Sequence, residues 1–321
     1  MSMKKKILVT GGAGAIGSSM VNRLSEDSGN CITVLDNLSS GHVENLIMRP
    51  NVRFIQGSVE SAEDLRQTFS DSPEVVFHLA ANFANQNSVD FPQRDLQVNG
   101  MGTLKILLRS VENKVKKFVY TSSSCVYGDR NEPLDEKVQE FSLDTPYAIT
   151  KLLGERYVRF FNHHHGLNTV TLRYFNVFGP NEYPGKYRNV IANFLFKAMR
   201  NEDIIITGTG EETRDFNFVK DSVRATILAS ETDKAVGKVI NIASGHETKI
   251  NDLVRMILKI TNSGSKVIHH ERRSWDTVTR RVASVGLAKE LLGYQPEVDL
   301  ETGLKEYSAW LQKQNLNKCE W

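Results

Sequence analysis

The sequence predicts an α/β fold with a doubly wound parallel sheet and a smaller C-terminal α/β lobe. Short β-branched runs alternate with longer helical patterns through the first half of the chain. A glycine-rich turn joins the first run to the first helical pattern, and from about residue 179 turns rich in Gly, Pro and Asn interrupt shorter elements. Strands that are linked by helical crossovers run parallel, so this alternation indicates a parallel sheet.

The individual elements follow in chain order. Short runs of β-branched and other apolar residues predict buried strands at 7–9, 32–35, 52–55, 75–79 and 117–120. Longer helical patterns predict helices at 16–24, 62–69, 101–111, 147–163 and, as an amphipathic C-terminal helix, 300–314. We expect a first domain at 1–175, to which the segment at about 213–245 returns, and a second lobe at 176–321.

Composition excludes several classes of protein. The 321 residues include 40 Lys and Arg against 38 Asp and Glu, a formal charge of +2, without the basic clusters of a nucleic-acid binder. No apolar run approaches the roughly 18 residues of a membrane span, and 7–9 is too short for the core of a signal peptide. Cys31, Cys125 and Cys319 are odd in number and far apart, so we expect reduced thiols, no metal site and a cytoplasmic protein.

The turn at 10–17 has the glycine spacing of a dinucleotide site. Its glycines allow a tight turn and a close approach of the backbone to a pyrophosphate, which the N-terminus of the following helix attracts. Asp36 ends the next strand 19 residues after Gly17, near the spacing expected of an acid that binds the adenosine ribose. A carboxylate there repels a 2′-phosphate, so NAD is favoured over NADP. The alternatives are a merely structural glycine turn and a turn-forming Asp36.

Tyr147 and Lys151 form a candidate acid–base pair. Their i, i+4 spacing places both side chains on one face of a helix that opens at Pro146, where the ammonium is expected to lower the pKa of the phenol. Such a pair can remove a proton from a sugar hydroxyl. A run of hydroxyls at 121–124 follows the strand at 117–120, at the sheet edge where α/β proteins bind ligands. The alternatives are a chance Tyr-x-x-x-Lys and a serine-rich turn without chemistry.

Together these motifs resemble the extended short-chain dehydrogenase/reductases, and within them the NAD-dependent nucleotide-sugar epimerases and dehydratases, over nearly the whole chain. The resemblance also includes the segments at 35–41, 78–81, 98–103, 126–128, 172–180, 208–216 and 241–245. It implies a Rossmann-type fold, an NAD-binding domain at 1–175 and a nucleotide-sugar-binding lobe at 176–321. It also implies a homodimer formed by the helices at about 101–111 and 147–163.

The resemblance assigns roles by motif position. Ser123 matches the catalytic hydroxyl that hydrogen-bonds the sugar oxygen, Tyr147 the acid and base, and Lys151 the lysine on the nicotinamide ribose. The implied NAD-binding residues are Gly11, Gly14, Ala15, Ile16, Gly17, Asp36, Asn37, Ser40, Gly41, Ser58, Val59, Leu79, Ala80, Ala81, Asn99, Tyr147, Lys151 and Tyr174. The implied substrate-binding residues are Ser123, Asn176 and Arg214, the last two on the pyrophosphate, and Asn189, Val190 and Asp276, which frame the uridine. For Arg214, a surface ion pair with Asp215 is the alternative.

The two positions after Ser123 bear on the reaction. Dehydratases of this family carry Asp-Glu there and decarboxylases a Glu, whereas this chain has Ser124 and Cys125. The resemblance therefore implies a 4-epimerase of a UDP-hexose, of glucose/galactose, N-acetylhexosamine or uronate type, which forms a transient 4-keto sugar and regenerates its NAD in each turnover. One alternative is an NAD(P)H-consuming reductase of a 4-keto-6-deoxy nucleotide sugar, which needs the same residues. Another is an NAD-sensing regulator without catalysis.

The sugar stays open at this point. Phe83 stands where one branch of relatives has a lysine, and the segment at 272–281 aligns with the relatives' determinant of sugar size only through a one-residue gap. An arginine there, such as Arg280 or Arg281, can meet a sugar carboxylate or a phosphate. The histidines at 163–165 are consecutive in a helix and point in different directions, so we expect a solvated helix end and no metal site.

Overall fold

Seven strands form one parallel sheet in residues 4–138 and 140–314, the part of the protein that the structure, a computed structural model, describes. The strands of the protein are β1 (Lys5–Thr10), β2 (Asn30–Asp36), β3 (Val52–Gln56), β4 (Val75–His78), β5 (Lys117–Ser123), β6 (Thr169–Tyr174), β7 (Val177–Phe178), β8 (Ile204–Thr207), β9 (Thr213–Arg214), β10 (Asn217–Phe218), β11 (Val239–Ile242), β12 (Thr248–Lys249) and β13 (Val267–His270). The large sheet has the order β11-β6-β5-β4-β1-β2-β3, and all its pairs are parallel. The predicted α/β fold is confirmed.

The helices alternate with these strands. They are α1 (Ala15–Leu24), α2 (Ala62–Phe69), α3 (Asn85–Asp90), α4 (Pro92–Asp95), α5 (Thr103–Glu112), α6 (Pro146–His165), α7 (Val190–Met199), α8 (Val219–Glu231), α9 (Ile250–Thr261), α10 (Gly286–Leu292) and α11 (Leu300–Leu311). Helix α6 begins after Thr145, whose side chain accepts a hydrogen bond from the Ala148 N–H, and it ends at Gly166 in the left-handed conformation. Within the described residues, no helix is long and apolar enough to cross a membrane.

Three predicted elements extend past the ends seen in the structure, and most of the others are longer in the structure than predicted. The helix predicted at 101–111 begins as α5 at Thr103, because a π-helical segment, Leu96–Gly102, precedes it. The strand predicted at 75–79 ends at His78, and the helix predicted at 300–314 ends at Leu311. Boundaries shift by one to a few residues because terminal turns depend on tertiary packing.

The topology sets the place of the functional site. Strands β1 and β4 are neighbours although β2 and β3 intervene in sequence, so the chain switches direction across the sheet between them. Ligands of doubly wound sheets bind at the carboxyl ends of the strands beside such a switch. Strand β11, which lies in the segment predicted to return at about 213–245, pairs with β6 at the sheet edge.

The core fills both faces of the sheet. Alternate residues of β1 separate between the two faces, since Ile7 and Val9 belong to one apolar cluster and Leu8 to the other. The first cluster continues into α7, α9 and α11, so the C-terminal elements share a core with the sheet. A third cluster around Tyr127 and Phe175 lies beneath the strand ends. The shared first cluster packs the C-terminal elements against the sheet.

Candidate active site

A cleft of about 720 Å³ lies between the carboxyl ends of the sheet strands and the C-terminal elements. Most of the predicted site residues line it. They are Gly11, Gly14, Ala15, Ile16, Gly17, Asp36, Asn37, Ser40, Ser58, Val59, Leu79, Ala80, Ala81, Ser123, Tyr147, Lys151, Tyr174, Asn176, Asn189, Val190, Arg214 and Asp276. Gly41 and Asn99 do not line the cleft.

The glycine turn has a shape that suits a pyrophosphate. Gly11 has φ +69°, and a Cβ on it would lie 2.7 Å from the backbone nitrogen of Ala80. A Cβ on Gly17 would lie 2.1 Å from the Gly11 carbonyl oxygen. Gly14 caps α1 without a side-chain hydrogen bond, so the first N–H groups of the helix are left for an anion. The residues of this turn therefore fit the diphosphate of NAD.

Asp36 lies at the carboxyl end of β2 beside this turn. Its Oδ2 accepts a hydrogen bond from the Ala13 N–H at 2.9 Å, and its Oδ1 accepts one from the Leu38 N–H at 2.8 Å. Each carboxylate oxygen can accept a further bond, so the group can still receive the hydroxyls of a ribose. Ser58, at the far side, hydrogen-bonds Glu60, and Val59 packs beside it in the buried core.

The two predicted residues outside the cleft support its walls. A Cβ on Gly41 would lie 2.7 Å from the carbonyl carbon of Ala13, so this glycine permits the loop after β2 to close on the glycine turn. The Asn99 side chain is buried and accepts a hydrogen bond from the Asn82 N–H at 2.8 Å. Asn99 also donates to Asp95 at 2.8 Å. The structure thus gives both residues a positioning contact behind the cleft surface.

Ser123, Tyr147 and Lys151 meet where β5 ends against α6. The Ser123 Oγ accepts the Cys125 N–H at 3.2 Å, which turns the chain away from the strand. The Lys151 ammonium is buried, donates to the Thr121 carbonyl oxygen at 2.9 Å and lies 5.6 Å from the centroid of the Tyr147 ring. An ammonium has three donors, so two remain for a ligand.

The charge states of this pair differ from the expectation. Burial raises the pKa of Tyr147 well above its ordinary 10.0, and the nearby Ser123 hydroxyl opposes the rise. Burial also lowers the pKa of Lys151 from 10.5 to about 8, against the pull of the Asp95 carboxylate. The predicted fall in the pKa of the phenol is therefore wrong for the protein alone, because loss of solvent outweighs the ammonium.

Two buried polar clusters that the sequence did not reveal hold the catalytic elements. In the first, Thr150 on α6 donates to Asp95 at 2.5 Å, which ties the catalytic helix to α4. In the second, Arg173 forms two hydrogen bonds with Glu155, at 2.9 and 2.7 Å, and Ser122 donates to the same carboxylate at 2.6 Å. These bonds lock β5, β6 and α6 together behind the serine and the lysine.

The substrate-side residues Asn176, Asn189, Arg214 and Asp276 come from four separate segments. Asn176 has φ +28° and donates to the Asp215 carbonyl oxygen at 2.9 Å, while Asn189 caps α7 and donates to Val177 O at 3.3 Å. Arg214 lies 3.7 Å from the Asp276 carboxylate. The surface ion pair considered for Arg214 with Asp215 is not formed.

Asp215 is a buried organising residue that sequence reasoning missed. Its carboxylate accepts the Ser244 N–H at 2.9 Å, the Ser244 hydroxyl at 2.6 Å, the Gly245 N–H at 2.9 Å and the Ala283 N–H at 3.2 Å. Burial raises the pKa of Asp215, and these bonds oppose the rise. It joins the end of β11 to the segment that carries the substrate-side arginines.

Two segments face each other across the reactive end of the cleft. The Trp275 indole N–H donates to Gln86 at 3.0 Å, which connects the segment at 272–281 with the first turn of α3, next to the loop before this helix. Phe83 in that loop meets Tyr147 edge to face, with 6.2 Å between ring centroids. Arg281 lines the cleft, whereas Arg280 lies outside it and pairs with Glu247 at 2.8 Å.

Another pair of cleft contacts gave no signal in the sequence. Arg188 donates to the Ser40 carbonyl oxygen at 2.7 Å, which joins the segment before α7 to the nucleotide side. Glu182 is buried in the cleft wall, and burial raises its pKa to about 7.

Cys31 and Cys125 are free thiols, and Cys319 lies outside the described residues. The described part of the chain contains no cluster of three or more His, Cys, Asp and Glu suited to a metal.

Comparison with known proteins agrees with this geometry. The model of the NAD dependent epimerase/dehydratase family matches residues 7–243. An epimerase structure from Methanothermobacter thermautotrophicus is 42% identical with a TM-score of 0.97, covering 99% of this chain and 96% of that one. A UDP-N-acetylglucosamine 4-epimerase from Methanobrevibacter ruminantium, solved with UDP-N-acetylmuramic acid, is 36% identical with a TM-score of 0.90, covering 97% and 99%.

A relative with a different reaction is also similar. The UDP-N-acetyl-alpha-D-glucosaminuronate decarboxylase of Bacillus cytotoxicus is 32% identical over 97% of this chain and 99% of its own. Overall similarity therefore does not by itself select the reaction. It does establish the family and the cofactor, because the family match covers most of the chain. The protein is an enzyme of the extended short-chain dehydrogenase/reductase class that belongs to the NAD-dependent epimerase/dehydratase family, with NAD as its cofactor.

Proposed function

We propose that the protein is a redox-neutral 4-epimerase that inverts C4 of a UDP-hexose. The observation that carries the proposal is that Ser123, Tyr147 and Lys151 share one cleft with the glycine turn, while positions 124 and 125 carry a serine and a cysteine. The similar UDP-N-acetylglucosamine 4-epimerase supports a UDP-sugar as substrate.

The catalytic residues act on the oxygen at C4. The Tyr147 oxygen takes the proton of the C4 hydroxyl, and Ser123 hydrogen-bonds the same oxygen in both forms of the sugar. NAD, which the glycine turn and Asp36 would hold, would supply the acceptor and donor of the C4 hydride, so that no other redox partner is needed. Charged Lys151 favours the phenolate, which is needed because burial raises the pKa of Tyr147. On the return step, Tyr147 gives its proton back to the oxygen.

The substrate-side residues hold the diphosphate while the sugar turns. The Arg214 guanidinium can bind phosphate oxygens through two parallel N–H groups, and Asn176 lies beside it through its contact with Asp215. Epimerisation requires the keto sugar to present its other face to the cofactor, so the anchor must be on the diphosphate. We infer that Asn189, the residue before α7, frames the uridine.

The acids that serve elimination and decarboxylation in the relatives are absent from positions 124 and 125, and the buried carboxylates of Asp95 and Glu155 do not replace them. Asp95 lies behind the surface, and burial raises its pKa while Thr150 and Asn99 bind it. Glu155 is paired with Arg173, and neither carboxylate lines the cleft. Ser124 and Cys125 occupy the positions of the acids in the dehydratase and decarboxylase relatives. Epimerisation needs no further acid or base, which is why it is the reaction we propose.

The test is turnover without added cofactor. Purified protein is incubated with UDP-glucose, UDP-N-acetylglucosamine and UDP-glucuronate, and the sugar protons are followed by NMR. A C4 epimer formed from one of them supports the proposal and names the sugar. Tyr147→Phe is expected to abolish this turnover and retain NAD. The matched control is Tyr157→Phe, which lies on the same helix outside the cleft and is expected to remain active.

The reductase alternative predicts a different result. If no sugar is epimerised, and NADH or NADPH is consumed when a 4-keto-6-deoxy nucleotide sugar is supplied, the protein is a reductase. Net consumption of cofactor separates the two functions because an epimerase regenerates its NAD in every turnover. Loss of NAD together with loss of turnover in Tyr147→Phe would leave the regulator alternative open.

We further propose a homodimer through the exposed sides of α5 and α6. Met101, in the π-helical segment before α5, and Leu108 on α5 are 48% and 46% exposed. On α6, Ile149 and Phe160 are 50% and 45% exposed. Large apolar side chains exposed together on adjacent helices are typical of an interface between subunits. Sedimentation that finds a monomer at micromolar concentration would contradict the dimer.

Three further expectations stay predictions. They are a nucleotide-binding domain at 1–175 with 213–245, a sugar-binding lobe at 176–321 and a cytoplasmic location.

A further inference from the structure

Arg281 places a buried positive charge at the reactive end of the cleft. The residue is only 6% exposed and lines the cleft. Its Nη1 lies 3.6 Å from the Cys125 sulfur, and Cys125 in turn donates its backbone N–H to the Ser123 Oγ at 3.2 Å. The guanidinium is therefore one side chain away from the hydroxyl that faces the sugar.

The protein supplies no counter-charge to this arginine. None of the ion pairs in residues 4–138 and 140–314 includes Arg281. Its Nε is buried and has no hydrogen-bond acceptor. A buried charge is costly unless it is paired and hydrogen-bonded. The fold thus retains a guanidinium whose natural acceptor is a ligand.

The neighbouring arginines are in a different situation. Arg214 and Arg272 share the Asp276 carboxylate, at 3.7 and 3.8 Å, and Arg280 pairs with Glu247 at 2.8 Å. Burial and repulsion by the Arg281 charge lower the pKa of Arg214 to about 10. Arg272 also has a buried Nε and Nη2 without hydrogen-bond partners but does not line the cleft, and Arg273 lines the cleft but is exposed. Arg281 is therefore the buried arginine of this segment that lines the cleft without a carboxylate partner among the described residues.

We propose that Arg281 binds a carboxylate carried by the hexose of the substrate, so that the enzyme prefers acidic UDP-sugars over neutral ones. The inference rests on the proposed function for the identity of the substrate. A guanidinium presents two parallel N–H groups that match the oxygens of a carboxylate. The carboxylate can be C6 of a uronate or part of a substituent, as in an N-acetylmuramate.

The test is a comparison of binding affinities by calorimetry. The protein is saturated with NAD and carries Tyr147→Phe, so that the sugars are not converted. Its dissociation constants are measured for UDP, UDP-glucose, UDP-N-acetylglucosamine, UDP-glucuronate and UDP-N-acetylmuramate. We expect one of the two acidic sugars to bind about 10- to 100-fold more tightly than its neutral counterpart, the range of a charge-assisted hydrogen-bonded pair. Which of the two does so identifies the position of the carboxylate.

Two variants assign the preference to one residue. Arg281→Leu is expected to abolish the preference and to leave binding of the neutral sugars within about threefold, since hydrogen bonds to other charges stay in place. Replacing an unpaired buried charge with an apolar group is not expected to prevent folding. Arg280→Gln removes the same charge one residue earlier, outside the cleft, and is expected to keep the preference.

Several results would overturn the assignment. If the Tyr147→Phe protein with Arg281 intact binds the neutral sugars as tightly as both acidic ones, the proposal is refuted. An equal loss of affinity for UDP and all four sugars in Arg281→Leu would assign Arg281 to the diphosphate instead. These outcomes are independent of turnover, so a failure of the epimerase proposal in the NMR experiment does not decide them.

Discussion

Lys151 is predicted to reduce the stability of the protein that it makes active. Its ammonium is buried where α6 meets the end of β5 and has one hydrogen bond, to the Thr121 carbonyl oxygen. Burial lowers its pKa from 10.5 to about 8, although Asp95, Cys125 and Glu155 oppose the change. Lys151→Met replaces the ammonium by an apolar group of similar length.

The magnitude follows from the pKa. Between about pH 8 and 10.5 the unfolded chain binds a proton at Lys151 that the folded chain does not, so stability rises with pH across that window. Below it the charged lysine costs about 3 kcal/mol of unfolding free energy. Lys151→Met also loses the hydrogen bond to Thr121, which lowers the unfolding free energy by about 1 kcal/mol. A net gain of about 2 kcal/mol corresponds to a rise in melting temperature of about 3 °C for a chain of this length.

The assay is urea and thermal unfolding of both proteins after removal of NAD, so that lost cofactor affinity does not offset the gain. At pH 7 the variant is expected to be more stable and inactive in the NMR assay, and the difference is expected to shrink towards pH 10.5. Lys117→Met is the control, because Lys117 is also buried, 7% exposed against 3% for Lys151, but pairs with Asp233 at 2.9 Å. Lys117→Met should not gain stability. A Lys151→Met protein less stable than its parent at pH 7 would refute the reasoning.

Further predictions concern the pair behind the site, the glycine turn and the pH profile. Glu155→Ala leaves the Arg173 guanidinium buried and unpaired and is expected to cost about 3–5 kcal/mol of unfolding free energy, measured by urea unfolding; a cost under about 1 kcal/mol would contradict this. Gly17→Ala sets a Cβ 2.1 Å from the Gly11 carbonyl oxygen and is expected to release NAD, measured by absorbance of the purified protein; full NAD content would refute it. The kcat/KM of the parent enzyme, which reports the free enzyme, should fall above about pH 8, roughly tenfold per pH unit, as Lys151 loses its charge. A kcat/KM that is constant to about pH 9.5 would show that the charge is not needed.

The nucleotide side of the site could be predicted because backbone geometry dictates it. Gly11 and Gly17 are the residues that a tight strand-to-helix turn requires, and local sequence shows them directly. The position of Asp36 could be predicted because α1 and β2, which separate it from the glycine turn, together have a nearly fixed length in such folds. The motif also predicted Gly41 as a site residue, but in the structure Gly41 lets the loop after β2 approach the glycine turn behind the cleft surface. A motif identifies a segment of the site, and it does not show which of its residues contact the ligand and which support them.

The substrate side could not be predicted to the same depth because its contacts join distant segments. Asp215 binds Ser244 and Ala283, and Trp275 binds Gln86, a residue 189 positions earlier. No local periodicity reports such pairs, and a lone aspartate in a turn looks like a surface residue. Strand β6 was missed as well, although its β-branched residues fit the pattern of a buried strand.

The charges of the cleft form a coherent set only when a substrate is included. Lys151, Arg214 and Arg281 all line the cleft. Burial lowers the pKa of Lys151, and burial together with the Arg281 charge lowers the pKa of Arg214. Among the described residues, Asp276 pairs with Arg214 and no carboxylate pairs with Arg281. A diphosphate brings two negative charges to the cleft, and a sugar carboxylate would bring a third. Anions bound there would raise the pKa of Lys151 and keep it charged, so substrate binding would itself favour the protonation state that catalysis needs.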